Sequence, residues 1–186
     1  MTKQAVIVAG GLGSRFGGRT TLMPKGFIEI EGIPMVERSV QKLIKAGIEE
    51  IIIGTGHCSE WYDKLAEKYP CIKTVRNDDY ENTSSMGTLS VCVPYIKGSF
   101  LLLESDLIYD INGLSVLIND ERENVILASG PSNSHDEVFL KTNEEGNLIN
   151  VSKDKAIIPE PSGELVGITK ISKDAILKMD NYYKSK

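Results

Sequence analysis

The chain has 186 residues, of which 41% are hydrophobic and 25% are charged, so it is long and apolar enough to fold around a core. Its net charge of −5 argues against the clustered positive charge of a nucleic-acid-binding surface, and no apolar run approaches the roughly 20 residues that span a bilayer. The three cysteines are odd in number and lack metal-ligand spacing, which predicts reduced thiols in a cytoplasmic protein.

The first predicted strand leads into a glycine-rich loop. The apolar, β-branched residues 5–8 indicate a parallel strand, and glycines follow at positions 10, 11, 13, 17 and 18. Neither the P-loop patterns GxxxxGKS and GxxxxGKT nor the dinucleotide fingerprint GxGxxG fits them. A strand that ends in such a loop still brings backbone N–H groups close to an anion, whose charge Arg15 and Lys25 neutralise. We therefore predict a polyphosphate-binding loop.

Strands and helices then alternate through the first half of the chain. Helices are predicted to open at residues 32–34, at residue 59 with Ser59 as the cap, and near residue 85. Further strands are predicted at residues 51–54, 72–76 and 99–103. This order predicts an α/β fold with a doubly wound, mostly parallel, Rossmann-like sheet.

Ligands bind such sheets at the carboxyl ends of the strands, which here fall at Gly10, Thr55, Asn77 and Glu104. Asp106 follows the most apolar strand at this edge. Its carboxylate suits Mg2+, a cation bound by one or two carboxylates and substrate phosphates. Capping of the following turn is the alternative, but the phosphate loop on the first strand favours the metal. For Asp110, an ordinary loop position is the simpler interpretation.

The second half of the chain changes character. Residues 138–142 and 148–152 flank the turn sequence Asn-Glu-Glu-Gly-Asn, which predicts a β-hairpin. A buried strand is predicted at residues 124–129, another strand at residues 165–171, and a helix from residue 173. We expect a small antiparallel element beside the parallel core, within a single domain that spans residues 1–186.

Residues 77–89 combine hydroxyl and amide side chains with the start of a helix. One of Thr83, Ser84 and Ser85 is expected to cap this helix. Together with Asn82, these groups also suit hydrogen bonding to a nucleobase at the edge that carries the phosphate loop. Hydroxyls and an asparagine would read uracil as well as cytosine.

Two pairs of residues have ordinary structural explanations. His57 and Cys58 are adjacent and lack a third group to orient the histidine, so we do not predict a nucleophilic pair. We expect His57 to shape the wall of a loop instead. Trp61 and Tyr62 lie on an amphipathic helix and are expected to be in the core or half-buried.

The polar loop at residues 129–137 is a candidate for binding a second substrate. Asp136 and Glu137 would suit a cationic head group, although an ordinary surface loop is an open alternative. Lys153 could contact a phosphoryl oxygen or simply be solvated. Glu164, just before a predicted strand, could face the site.

Several motifs together resemble one enzyme family. AGGLGSRF followed by MPKGF, then NTSSMGTL, LLLESDLIYD and GELVGITKIS, are similar to the 2-aminoethylphosphonate cytidylyltransferases of phosphonate biosynthesis. These are relatives of bacterial phosphocholine cytidylyltransferases within the nucleotidyltransferase superfamily. The resemblance runs from Lys3 to about Met179. It implies a fold of the nucleotide-diphospho-sugar transferase type and transfer of CMP from CTP to 2-aminoethylphosphonate, with Mg2+ as cofactor.

The resemblance also implies roles for individual residues. Lys25, Arg15 and Asp106 would be catalytic, with Asp106 on the metal. The other nucleotide-binding residues would be Ala9, Gly10, Gly11, Gly13, Ser14 and Ser105, with Asn82, Ser84 and Ser85 at the cytosine. The phosphonate and its ammonium group would lie among Ser129, Asp136, Lys153 and Glu164.

The chain departs from the superfamily pattern in one respect. A second metal-binding aspartate usually follows the last helix, and no matching motif occurs here. We expect either that the domain is C-terminally truncated or that Glu164 or Asp174 substitutes. Some members of the family also continue into an aminotransferase domain, which has no counterpart in these residues.

Other functions stay open at the level of sequence. Phosphocholine and a sugar 1-phosphate are alternative acceptors, and the missing aspartate leaves room for an inactive nucleotide-binding module. The expected partners are CTP and a small phosphonate or phospho-alcohol, with neither a nucleic acid nor a membrane. A homo-oligomer is neither predicted nor excluded.

Overall fold

The structure is a computed structural model that describes residues 2–13 and 22–186. Ser14 and Arg15, predicted to bind the nucleotide, lie outside the described residues, as do Gly17 and Gly18 of the glycine loop. The chain divides into two compact units. The first comprises Met1–Val125 and Thr169–Lys186, and the second comprises Ile126–Ile168.

The first unit alternates strands and helices, as the sequence predicts. Its elements in chain order are β1 (Gln4–Ala9), β2 (Glu29–Ile30), β3 (Ile33–Pro34), α1 (Met35–Lys45), β4 (Glu50–Thr55), α2 (Ser59–Lys68), β5 (Ile72–Arg76), α3 (Ser85–Cys92), β6 (Phe100–Glu104), α4 (Ile111–Asn119) and, after the second unit, α5 (Lys173–Lys184). Short 3-10 turns occur at Lys25–Phe27 and Val93–Tyr95.

Four of these strands form a parallel sheet in the order β5-β4-β1-β6. Val8 pairs with Gly54 on one side and with Glu104 on the other, and Thr55 pairs with Arg76. The strands therefore end level with one another. The segments predicted to carry the site all begin at this carboxyl edge, which confirms the predicted arrangement of the sheet.

Helix α3 packs closely on β1 and β4 because glycines face it. A Cβ atom at Gly54 would lie 2.8 Å from Cys92 Sγ, and one at Gly10 would lie 2.3 Å from Thr88 Oγ1. Glycine in or beside a strand permits this close approach. The buried cluster around the contact includes Val6, Ile52, Leu89, Cys92, Phe100 and Ile176. This packing holds the start of α3 at the carboxyl edge of the sheet.

Some local predictions were wrong. Cys58, and not Ser59, is the N-cap of α2; its φ is 52°, and no side chain accepts a capping hydrogen bond. The strand predicted at residues 124–129 is not buried: it becomes β7 (Val125–Ser129), whose first three residues are half-buried and whose last two are exposed. Helix α4 was not predicted; Asp110 caps it by accepting a hydrogen bond from the Asn112 N–H.

The second unit contains the predicted antiparallel hairpin. Strands β8 (Phe139–Thr142) and β9 (Leu148–Ser152) pair with Phe139 opposite Ser152. Strand β10 (Gly163–Ile171) begins in this unit and pairs antiparallel with β8. Across the described part of the chain, the helices lack the combination of length and apolar character that crossing a membrane requires.

Candidate nucleotide-binding site

A cleft of about 280 Å³ opens at the carboxyl edge of the parallel sheet. Seven of the residues predicted to bind a nucleotide line it: Ala9, Gly11, Gly13, Lys25, Ser85, Ser105 and Asp106. They come from the end of β1, the Lys25–Phe27 turn, the start of α3 and the end of β6. The fold thus brings residues from four separate stretches of chain around one space.

Lys25 is held at the cleft by a compact turn. Pro24 precedes the turn, and the Phe27 N–H donates to the Pro24 carbonyl over 2.9 Å. Gly26 is buried, and a Cβ there would lie 3.0 Å from the Ser105 carbonyl oxygen. The turn is therefore pressed against the end of β6, which brings Lys25 Nζ to 3.7 Å from Asp106 Oδ2.

The acidic side of the cleft is built from the end of β6. Glu104 and Asp106 both line it, and the Asp106 side chain is 31% exposed. Among the described residues, no three His, Cys, Asp or Glu side chains form a complete metal site. One or two carboxylates completed by phosphate oxygens and water are what Mg2+ commonly uses in nucleotide sites. Asp106, with Glu104 beside it, therefore fits such an ion.

The segment predicted to read the base is ordered by its own hydrogen bonds. The Ser84 hydroxyl caps α3 by accepting from the Met86 N–H, which confirms that one residue of this group is the N-cap. The exposed Asn82 amide donates to Asp79 Oδ1 over 2.7 Å. Of the three proposed base-reading residues, only Ser85 lines the cleft.

Asn77 connects this segment to the glycine loop. Its side-chain amide donates to Thr83 Oγ1 at 2.8 Å and to Thr88 Oγ1 at 3.3 Å. Thr88 is also the residue against which Gly10 packs. Gly10, which does not line the cleft, thus packs on the same threonine that Asn77 contacts.

The pair His57 and Cys58 is in contact, but the surroundings of the thiol do not suit a nucleophile. Cys58 Sγ lies 3.2 Å from His57 Nε2. Burial raises the pKa of the Cys58 thiol, and the charge of Glu60 raises it further. Both effects disfavour the thiolate that a nucleophilic cysteine requires, in agreement with the sequence interpretation.

The residues predicted to bind the acceptor all lie in the second unit. Asp136 and Lys153 form an exposed ion pair of 2.7 Å. Glu164 is buried and accepts hydrogen bonds from the Ser132 N–H and hydroxyl, over 2.8 and 2.6 Å. Ser129 is exposed and donates to the Gly130 carbonyl.

A larger cavity, of about 850 Å³, lies at the opposite edge of the parallel sheet. The starts of the strands line it, together with the ion pairs Lys3–Glu49 and Lys97–Glu50, each of 2.6 Å. Parallel sheets bind ligands at the carboxyl ends of their strands. We therefore assign the candidate site to the smaller cleft and not to this cavity.

Four residues that line the cleft were not among the predicted site residues: Val8, Pro24, Tyr62 and Glu104. Glu104 was predicted to end a strand at the ligand edge, but its own side chain, which lines the cleft, was given no role. Tyr62 is 1% exposed, as expected for a core residue, yet it also lines the cleft. A tyrosine on an amphipathic helix carries no sequence signal that separates these two roles.

Comparison with known proteins places the chain in a family. Residues 5–139 match the MobA-like NTP transferase domain family. A 2-aminoethylphosphonate cytidylyltransferase of Lancefieldella rimae is 32% identical over 105 residues, which are 56% of this chain and 43% of that protein. A choline-phosphate cytidylyltransferase of Haemophilus influenzae is 27% identical over 159 residues, 86% of this chain and 66% of that protein. The chain thus spans less than two thirds of either relative.

The fold also matches solved structures. The inositol-1-phosphate CTP transferase from T. maritima superimposes with a TM-score of 0.80, covering 95% of this chain and 73% of that one. At 18% identity, this similarity establishes the fold alone.

Proposed function

Because the chain belongs to the MobA-like NTP transferase domain family, we propose that it transfers CMP from CTP to 2-aminoethylphosphonate, which yields CMP-2-aminoethylphosphonate and pyrophosphate. One observation carries the proposal: the glycine loop, Lys25 and Asp106 meet at a single cleft at the carboxyl edge of the sheet. The choice of acceptor is supported by the 32% identity to a 2-aminoethylphosphonate cytidylyltransferase.

The proposed reaction is an in-line displacement. An oxygen of the acceptor phosphonate attacks the α-phosphorus of CTP, and the bond from that phosphorus to the bridging oxygen of the β-phosphate breaks. Pyrophosphate leaves with the electron pair of this bond. A phosphonate dianion needs no general base, so catalysis depends on holding two anions in line and stabilising the charge of the transition state.

Different residues of the cleft would bind the phosphates and stabilise the charge of the transition state. Backbone N–H groups of the glycine loop would cradle the phosphates. The Lys25 ammonium, on its rigid turn, would stabilise the charge that develops at the α-phosphate. Asp106 would hold Mg2+, which when bound supplies positive charge to the phosphate oxygens.

The charges of the second unit suit a zwitterionic acceptor. The resemblance would set Lys153 against the phosphonate and Asp136 against the primary amine; within the second unit these two side chains form an ion pair with each other. A quaternary ammonium is usually bound by aromatic rings, and residues 129–137 contain no Trp, Tyr or Phe. This composition favours 2-aminoethylphosphonate over phosphocholine.

Phosphocholine is nevertheless a second candidate acceptor. The choline-phosphate cytidylyltransferase match covers 86% of this chain, compared with 56% for the phosphonate enzyme. The experiment must therefore compare acceptors directly.

Pyrophosphate release tests the proposal. Purified protein would be incubated with each of CTP, UTP and GTP, with Mg2+, and with 2-aminoethylphosphonate, phosphocholine or glucose 1-phosphate. We expect release with CTP and 2-aminoethylphosphonate. Preferential turnover of phosphocholine would identify the protein as a phosphocholine cytidylyltransferase instead. CTP binding without pyrophosphate release in the presence of any acceptor would identify an inactive nucleotide-binding module.

A further inference from the structure

We propose that the Tyr62 hydroxyl positions the two charged groups of the cleft, by holding the Ser105–Asp106 end of β6 against the turn that carries Lys25. The effect that we expect on turnover rests on the proposed function. The effect that we expect on the Lys25–Asp106 distance does not depend on that function. It makes Tyr62 a positioning residue of the site.

Tyr62 contacts both sides of the cleft at once. Against the raising effect of burial, hydrogen bonding with the Ser105 side chain, next to Asp106, lowers the pKa of the Tyr62 phenol. On the other side, the position of a Cβ at Gly26 is only 3.2 Å from the Tyr62 hydroxyl oxygen and 3.2 Å from Ser105 Cβ. The hydroxyl therefore lies where the Lys25–Phe27 turn meets the end of β6.

The Tyr62 ring fixes the same turn through aromatic packing. The Phe27 ring packs edge-on against Tyr62 with ring centroids 5.1 Å apart, and it packs tilted against Trp61 at 5.3 Å. Arrangements of this kind are favourable for aromatic pairs. Two aromatic side chains of helix α2 thus pack against Phe27 at the end of the turn, while the Tyr62 hydroxyl lies at the end of β6.

A purely structural role does not account for the hydroxyl. A phenylalanine would fill the same apolar space, whereas a buried tyrosine O–H needs a hydrogen-bond partner. Burial and the charge of Asp106 both raise the pKa of the Tyr62 phenol, whereas hydrogen bonding with Ser105 lowers it. The side chain that hydrogen-bonds with the phenol, Ser105, immediately precedes Asp106.

The test compares wild type, Tyr62→Phe and a matched control, Tyr69→Phe. Tyr69 lies at the other end of α2, and its hydroxyl donates to Glu37 Oε1 over 2.7 Å. Each variant therefore loses one tyrosine hydroxyl and its hydrogen bond, but only Tyr62 adjoins the cleft. Crystal structures and steady-state kinetics of pyrophosphate release would be measured for all three proteins.

We expect Tyr62→Phe to lengthen the Lys25–Asp106 separation from 3.7 Å to beyond the ion-pair limit of about 4 Å. We expect its kcat to fall about 10- to 100-fold with little change in the KM for CTP, while Tyr69→Phe keeps both. If the Lys25–Asp106 separation is unchanged in Tyr62→Phe, the proposal is overturned, whatever the turnover of that variant. A lengthened separation with wild-type kcat overturns its functional part.

The structural readout separates this proposal from the proposed function. Suppose that none of the tested acceptors supports pyrophosphate release by the wild type, but that Tyr62→Phe still moves Lys25 away from Asp106. The proposed function then fails, and the positioning role stands. If Tyr62→Phe does not fold, Ser105→Ala removes the other partner of the same contact. The Lys25–Asp106 separation in that variant then decides the question.

Discussion

Replacing Lys25 with alanine should abolish most turnover and leave the fold intact. The Lys25 side chain is 26% exposed, and its ion pair with Asp106 spans 3.7 Å in a cleft open to solvent. Such a partly exposed pair is screened by water, so its loss should cost only about 0.2–1 kcal/mol of unfolding free energy. For a chain of this size, that lowers Tm by no more than about 4 °C.

The expected effect on catalysis is much larger. Removing one preorganised donor to a developing negative charge typically lowers kcat by about 10²–10³, equivalent to about 2.7–4 kcal/mol of transition-state stabilisation. The ammonium of Lys25 is such a donor in the proposed mechanism, because the Pro24–Phe27 hydrogen bond and buried Gly26 fix the turn that carries it. A stability change below 1 kcal/mol and an activity change above 2.7 kcal/mol can be distinguished clearly.

The assay is continuous pyrophosphate release with CTP and 2-aminoethylphosphonate, alongside thermal unfolding. Lys97→Ala is the matched control, since Lys97 also forms an ion pair in the first unit but at the opposite edge of the sheet. We expect the control to keep wild-type turnover. Near-normal kcat in Lys25→Ala would refute the assignment of Lys25 to the reacting phosphate, and unfolding of that variant would refute the stability argument.

Three further predictions concern packing, pH and the metal. Gly10→Ala should destabilise the protein by about 1–3 kcal/mol in urea unfolding, because its Cβ would lie 2.3 Å from Thr88 Oγ1, whereas Gly98→Ala, with no atom within 4 Å, should not. Burial alone would raise the pKa of Asp180, but hydrogen bonds from Lys184 and Ser90 lower it overall. The Asp180 carboxylate should therefore contribute its full stabilisation above its ordinary pKa of 3.8, and this contribution should be lost as pH falls through the lower pKa of the folded state. If the free energy of unfolding of Asp180→Asn falls with pH as steeply as that of the wild type, this prediction is wrong. EDTA should abolish turnover and Mg2+ restore it, while Asp106→Asn should weaken Mn2+ binding measured by electron paramagnetic resonance, and unaltered Mn2+ affinity would remove Asp106 from the metal site.

The parallel core was predictable because its signals are local and repeated. The strand predicted at residues 72–76 is observed without change as β5, and α3 begins at the predicted Ser85. Where prediction failed, a local signal was missing or misleading. Helix α4 contains Asn112 and Gly113, both weak helix formers, and the left-handed conformation that starts α2 falls on Cys58, a residue type that rarely adopts it.

The residues of the candidate site also differ in whether a local sequence signal indicates them. The meeting of the glycine loop, Lys25 and Asp106 at one cleft was predictable because the carboxyl ends of parallel strands meet at the same edge of a sheet. The place of Tyr62 in the cleft was not predictable, because it depends on which surface of the side chain faces the cleft after packing. The hydroxyl of Tyr62 distinguishes it from an ordinary core residue only once Gly26 and Ser105 are seen against it. The charged groups that meet at the cleft can therefore be inferred from composition and order, whereas the residues packed behind them emerge only from contacts between helix, turn and strand.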